Sequence, residues 1–281
     1  MALIVIGPTA SGKTDYAIEQ ALKHGAYVIN ADALQVYYDL PTLTARPLNM
    51  SLERVGVPHF LFGFLKPQES IHVMAWYEKV SQIIREYGEN YIMVGGTIFY
   101  IKTWLEGGLS PIPEIPLEIQ NHIRHLSKDE LISQILCHDP EILNFLHKND
   151  TQRLSRALAV KWATGMSIRT FQTGVHKKRS VPVHLMDIEK SQLHRRIEER
   201  THKMIQNGAI EEVENLLHHY PDFSNFSDIL AQPIRNIIGL AEIIAYLTNV
   251  LSKEQMIEKI ILLTKQYAKR QRVFCQKIVT C

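Results

Sequence analysis

Cysteine is scarce. The chain has three, Cys137, Cys275 and Cys281, among 281 residues, an odd number without metal-ligand spacing. A disulfide framework is therefore excluded as the organising device, and reduced thiols in the cytoplasm are expected. Long apolar runs are also missing. None reaches the roughly 18 residues of a membrane span, so no transmembrane helix is expected. No signal peptide is expected either, because a strand-like run and a glycine loop occupy the first residues. An excess of one charge is lacking: the net charge is +2. Any surface for a polyanion must then come from local clustering. The histidines show no metal spacing, and an Asn-Lys-x-Asp element for guanine is absent, which argues against a GTPase.

What remains is the profile of a globular protein, 46% apolar and 21% charged. The length suits one large domain or two smaller ones. Residues 3–6 form a short apolar run that leads into a glycine loop. Residues 14–24 carry apolar positions at helical spacing and end at Gly25. Residues 27–30 read as a second buried strand. This succession opens a parallel α/β sheet. A helix over 74–87, a strand over 91–94 and a later strand over 183–186 continue it. Pro111, Pro113 and Pro116 mark a stiff linker. Residues 117–173 then have helical periodicity and no convincing strand. The reading is a P-loop core formed by 1–113 and 179–281, interrupted by a helical insertion at 114–178.

The chemistry starts at Gly7, Pro8, Thr9, Ala10, Ser11, Gly12, Lys13 and Thr14, which match G-x-x-x-x-G-K-[ST]. Glycines let the backbone curl so that successive N–H groups face one anion. The following helix adds its positive end. Lys13 brings a full charge, and the Thr14 hydroxyl suits Mg²⁺. The loop follows a buried strand and opens a helix, which is the context this motif requires. It identifies a phosphate site but not a reaction.

A second carboxylate is needed for most phosphoryl chemistry, and the candidate is Asp32 at the end of the second strand. Asp32 suits a metal ligand or a proton acceptor; a helix N-cap is the plain alternative. Gln35 suits an adenine edge. Gly95, Gly96 and Thr97 follow the 91–94 strand and would line the same rim, or form only a tight turn. Arg195, Arg196 and Arg200 share a helix with several glutamates; Arg196 and Arg200 could face one anion together. The stretch 265–272 holds four cations beside Tyr267, with Phe274 further on. Such a stripe fits a nucleic-acid backbone or a solvated helix end.

Taken in order, these motifs resemble one family, the bacterial tRNA dimethylallyltransferases. The resemblance spans nearly the whole chain. It runs from the loop at 7–14 through 32–37, Thr44-Ala45-Arg46-Pro47 and Val57-Pro58-His59. It continues with Val94-Gly95-Gly96-Thr97, the run from Asn149 to Leu158 that contains Gln152, Arg153, Leu154, Ser155 and Arg156, and Arg196-Ile197-Glu198-Glu199-Arg200. Gln266-Tyr267-Ala268-Lys269-Arg270-Gln271 closes the series.

The resemblance implies transfer of a dimethylallyl group from dimethylallyl diphosphate to N6 of adenosine 37, 3′ of the anticodon, with release of diphosphate. It implies that the P-loop holds a diphosphate leaving group with Mg²⁺ at Thr14. By family, Asp32 is the general base, Thr97 assists at the amine and Arg200 lies on the diphosphate side. The tRNA contacts it implies are Asp32, Ala33, Leu34, Gln35, Thr97, Gln120, Gln152, Arg153, Leu154, Ser155, Arg156, Arg235 and Asn236. The partner is the tRNA anticodon stem-loop, clamped by the insertion, with the target base flipped from its stack. A cytoplasmic monomer is expected. The chain departs from the family pattern at Ala33, Leu43, Gln120, Ala241, Lys265 and Phe274. A P-loop kinase of a small metabolite or nucleotide is the alternative reading.

Overall fold

In a computed structural model of the chain, residues 1–47, 56–109, 112–172, 177–220 and 226–279 are described. Pro111 of the proline linker, Gly174 of the basic return and Cys281 lie outside them. The chain divides into two compact units, Met1–Leu105 with Arg179–Cys281, and Glu106–Lys178.

The first unit is built on a sheet of five strands: β1 (Ala2–Ile6), β2 (Tyr27–Asn30), β3 (His59–Phe60), β4 (Tyr91–Gly95) and β5 (Val183–Leu185). Their order is β3-β2-β4-β1-β5, and every pairing is parallel. Parallel strands are covered on both faces, so they are apolar throughout rather than alternating. Ile4, Val5, Ile6, Val28, Ile29, Ile92 and Met93 are accordingly shut off from solvent. In the register, Ile6 lies beside Gly95 and Asn30 beside Val94. The strand ends are thus level, and the loops that leave β1, β2 and β4 emerge together at one edge.

Helix α1 (Lys13–His24) follows the first loop. It is bounded by Gly12 and Gly25, both in the left-handed region. Ala17 and Ala21, one turn apart, are its buried face. The Gly25 N–H returns to Ala21 O, closing the end the sequence predicted. Next come the short α2 (Pro41–Thr44), α3 (Val73–Tyr87) and α4 (Ile98–Leu105). Trp76 of α3 donates its indole N–H to Asn30 O at 2.9 Å, which ties that helix to the end of β2.

The second unit is helical among its described residues. It holds α5 (Leu117–Arg124), α6 (Lys128–His138) and α7 (Thr151–Thr164), with 3₁₀ turns at Pro140–Asn144 and Ile168–Gln172. Ser127 and Glu130 form a reciprocal capping box on α6. Asp150 caps α7, and Gly165 ends it. Ile123, Leu131, Ile135, Ile142, Leu154 and Leu158 form its core.

The chain after β5 is helical: α8 (Lys190–Gln206), α9 (Ala209–His219), α10 (Phe226–Ala231), α11 (Leu240–Leu247) and the 27-residue α12 (Lys253–Val279). Helix α12 packs on α8, α11 and α4. Its buried positions Met256, Ile260, Ala268, Gln271 and Cys275 recur at helical intervals. Gln271 is the polar member of that line. No helix among the described residues is long and apolar enough to cross a membrane.

Candidate active site

The loop between β1 and α1 places Ala10 and Gly12 at positive φ, 62° and 88°. Alternating backbone handedness turns consecutive N–H groups inward and makes an anion nest. A side chain on Gly7 would meet Ser11 Oγ and Met186, so this position must stay small. Lys13 is buried, with Nζ 3.4 Å from Pro8 O. Burial pushes its pKa below the usual lysine value, with Arg200 nearby acting in the same sense and Asp32 opposing it. The Ser11 hydroxyl is buried without a hydrogen-bond partner. A buried ammonium and an orphaned hydroxyl beside a nest of N–H groups fit an anion.

Helix α8 brings two arginines to this loop, one turn apart. Arg196 Nη1 donates to Ser11 O at 3.2 Å, and Arg200 Nη1 donates to Thr9 Oγ1 at 2.8 Å. Burial lowers the Arg200 pKa, with Asp32 acting in the opposite sense. The other residues of the α8 charge pattern pair elsewhere: Glu198 with Lys265 at 2.6 Å and Arg195 with Glu199 at 3.9 Å. The reading of two arginines turned to one anion is compatible with this arrangement, and the other charged residues of that helix lie on its solvated face. Arg272 likewise reaches Asp187 at 3.4 Å, so the 265–272 stripe is partly paired.

Asp32 is buried at the end of β2. Its Oδ1 accepts the Leu34 N–H at 2.9 Å, while the Asn30 side chain accepts its own N–H. No helix begins at Asp32, so the helix N-cap alternative is corrected: the carboxylate holds a local turn with one oxygen. Thr97 sits on the adjacent loop. Its hydroxyl accepts the Ala33 N–H at 2.9 Å, and its N–H goes to Ala31 O at 3.1 Å. Gly95 packs so closely on the Ala31 peptide that no Cβ fits. The two loops are thereby fastened together next to Asp32.

A cavity of about 550 Å³ opens between these elements. Thr9, Ala10, Gly12, Lys13, Thr14, Arg196 and Arg200 line one side, and Asp32 is at the wall. Leu34, Leu43, Met204, Ile237, Ile238 and Ile260 give it an apolar side, with Tyr267 alongside. Burial holds the Tyr267 phenol protonated well above the ordinary tyrosine range. Leu43, one of the departures, packs close to Gly239, whose φ is +102° and whose missing Cβ would fall against Leu43 Cδ1. Glu212 accepts the Thr42 and Leu43 N–H groups at 2.7 and 2.8 Å and so fixes this wall.

The remaining expected residues divide. Gln35 lines the cavity, but its amide nitrogen donates to Thr44 O and Ala45 O, both at 3.2 Å. In the second unit Gln152, Arg153 and Arg156 are exposed on α7 and Ser155 is half-buried. Leu154 is fully buried in that unit's core, so its side chain packs inward and any contact it makes with tRNA is through its backbone. Gln120 is exposed and donates to Ile115 O at 2.7 Å. Arg235 and Asn236 are exposed on a 3₁₀ turn at Pro233–Asn236. Among the described residues no cluster of three or more His, Cys, Asp or Glu could hold a metal by itself.

A parallel sheet whose first loop is an anion nest, with a carboxylate and an apolar wall facing the same cavity, defines a P-loop-type enzyme. The chain belongs to the IPP transferase family, whose model matches residues 35–278. A tRNA dimethylallyltransferase of Rhizobium johnstonii is 38% identical over 96% of this chain and 91% of its own length. Among solved structures, a eukaryotic dimethylallyltransferase acting on tRNA is similar over 96% of this chain and 68% of its own, with a TM-score of 0.81 and 27% identity. A tRNA isopentenylpyrophosphate transferase from Staphylococcus epidermidis is similar with a TM-score of 0.63 and 26% identity, over 97% and 89% of the two chains.

Proposed function

We infer that this chain prenylates tRNA, transferring the dimethylallyl group of dimethylallyl diphosphate to N6 of adenosine 37. The observation that carries the reading is one cavity with two unlike sides. A cationic nest of Lys13, Arg200 and loop N–H groups suits a diphosphate. The wall of Leu34, Leu43, Ile237 and Ile260 suits a short hydrocarbon. Asp32 is at hand for the acceptor. The kinase alternative gives way to the family membership.

In this reading the N6 lone pair forms a bond to C1 of the prenyl group as the C1–O bond breaks, and diphosphate departs. Asp32 takes the proton from the amine, a weak nucleophile because its lone pair is delocalised into the ring. Negative charge grows on the departing oxygens. Lys13, Arg200 and the loop N–H groups meet it in place, without reorganisation. The Thr14 hydroxyl would help hold Mg²⁺. A single hydroxyl beside diphosphate oxygens is the hard-oxygen donor set that ion accepts, and Mg²⁺ supplies further neutralisation of the leaving group.

The helical second unit offers Gln152, Arg153 and Arg156 as tRNA contacts; cytoplasmic action as a monomer completes the proposal. The test is incubation with dimethylallyl diphosphate and unmodified tRNA. N6-dimethylallyladenosine 3′ of the anticodon supports the reading. Phosphoryl transfer from ATP without prenyl transfer refutes it.

A further inference from the structure

Gln271 is a buried amide on α12, far from the P-loop in sequence, and the proposed chemistry gives it no part. Its Oε1 accepts the Thr9 N–H at 2.7 Å, and its Nε2 donates to Gly96 O at 3.1 Å. Thr9 follows β1 and Gly96 follows β4, which are neighbouring parallel strands paired up to Ile6 and Gly95. Beyond that pair the two backbones diverge, one into the anion nest and the other into the Thr97 loop. The Gln271 amide stands between them as a peptide group would, accepting on one side and donating on the other. A side-chain amide offers both functions there, whereas a carboxylate only accepts and an ammonium only donates. A Cβ on Gly96 would clash with Gln271 Nε2 and lie 3.5 Å from Asp32 Oδ2. The glycine at 96 is thus the complement of the glutamine at 271.

We propose that Gln271 is a positioning residue that sets the spacing between the diphosphate loop and the loop beside the base. The linkage runs from Arg200 through the Thr9 hydroxyl, then from the Thr9 N–H through Gln271 to Gly96, and from Thr97 to Ala33 beside Asp32. Inline displacement needs the leaving oxygen, C1 and the amine nitrogen on one line. A shift of about 1 Å in such an alignment costs on the order of 10²-fold in rate. The proposal rests on the prenyl-transfer reading above.

The test uses the full chain with Gln271→Met, which keeps the volume and removes both bonds, and Gln271→Glu. KM and kcat for both substrates are measured, with unfolding midpoints alongside. Gln271→Met lowers kcat by at least about 10-fold and leaves both KM values within about 3-fold.

The glutamate variant adds a signature. As a carboxylate it cannot donate to Gly96 O; as a neutral acid it restores both bonds. Its kcat relative to the parent therefore climbs as pH falls. The titratable and charged groups around this turn are Asp32, Lys13 and Arg200, with Arg270, Cys275 and Tyr267, which hydrogen-bonds to the Gln271 side chain, on the same helix. Taking the ratio to the parent at each pH removes their shared titration. Parent-like kcat in Gln271→Met, or a pH-independent ratio for Gln271→Glu, overturns the proposal; a lowered midpoint with parent-like kcat also overturns it, as packing alone. A parent chain that transfers no prenyl group fails the functional reading instead, so the two failures are separable.

Discussion

The guanidinium of Arg200 donates to the hydroxyl of Thr9 at 2.8 Å, joining residues 191 positions apart. The contact presents a full positive charge at the mouth of the anion nest while holding the nest's second turn. Arg200→Gln keeps a donor but removes the charge. It should lower kcat about 10²–10³-fold, the usual cost of losing one preorganised donor to a developing oxyanion. The KM for tRNA should stay within a few-fold. Steady-state kinetics with each substrate varied separately checks this; a loss confined to tRNA KM would place Arg200 elsewhere.

Asp32 holds its turn with Oδ1, which accepts the Leu34 N–H. In an Asp32→Asn variant the side-chain amide oxygen can still accept that bond, so the turn survives while the base is lost. Transfer should fall about 10²–10⁴-fold, with tRNA affinity and unfolding midpoint nearly unchanged. Retained transfer would leave Asp32 a turn residue and nothing more.

Lys13 is buried with a depressed pKa, burial outweighing Asp32. A bound diphosphate restores the reason for it to be charged. Below the depressed pKa the ammonium is already present and diphosphate binds most tightly. As pH rises through it, binding must first take up a proton, and affinity falls. Titration calorimetry of diphosphate in two buffers of unlike ionisation enthalpy should report proton uptake on the alkaline side. Proton release there would contradict the assignment.

Glu212 accepts two backbone N–H groups from the α2 turn and carries a pKa raised by burial, which the Thr42 and Leu43 N–H groups oppose. Glu212→Ala leaves two donors without an acceptor and should cost about 1–3 kcal/mol of stability. The Leu43 side of the cavity should loosen, so the KM for the prenyl diphosphate should rise. Denaturant unfolding and KM read the two effects separately.

Arg153 is exposed on α7 and pairs with its neighbour Asp150, at 3.2 Å. An exposed i,i+3 pair of this kind is worth little to folding. Arg153→Ala should therefore leave the unfolding midpoint alone, weaken tRNA binding and reduce the log–log salt slope by about one phosphate's worth. An unchanged slope removes it from the contact surface.

The local motifs were readable in the sequence because each rule that governs them is short in range. Gly12 and Gly25 bound α1 through left-handed backbone, and the strand before Gly7 is apolar because parallel strands are covered on both faces. Asp32 was readable as either a helix cap or a base; no helix follows it, and one of its oxygens holds a turn instead. What was not readable depends on contacts between distant segments. Gln271 lies amid lysines and arginines that dominate its stretch of sequence, and nothing local marks its amide as the bridge between Thr9 and Gly96. Leu154 stands beside exposed Gln152 and Arg153 in one motif, yet helical geometry turns it into the core. Gln35 looked free for an adenine, but its amide nitrogen is held by Thr44 and Ala45.

The most direct test is a transfer assay with dimethylallyl diphosphate labelled in the prenyl group, Mg²⁺ and unmodified tRNA, followed by digestion to nucleosides. The expected result is label in N6-dimethylallyladenosine at the position 3′ of the anticodon, equimolar with released diphosphate, and its absence in Asp32→Asn. Label on free adenine nucleotides, or none on tRNA while ATP is consumed, would contradict the account.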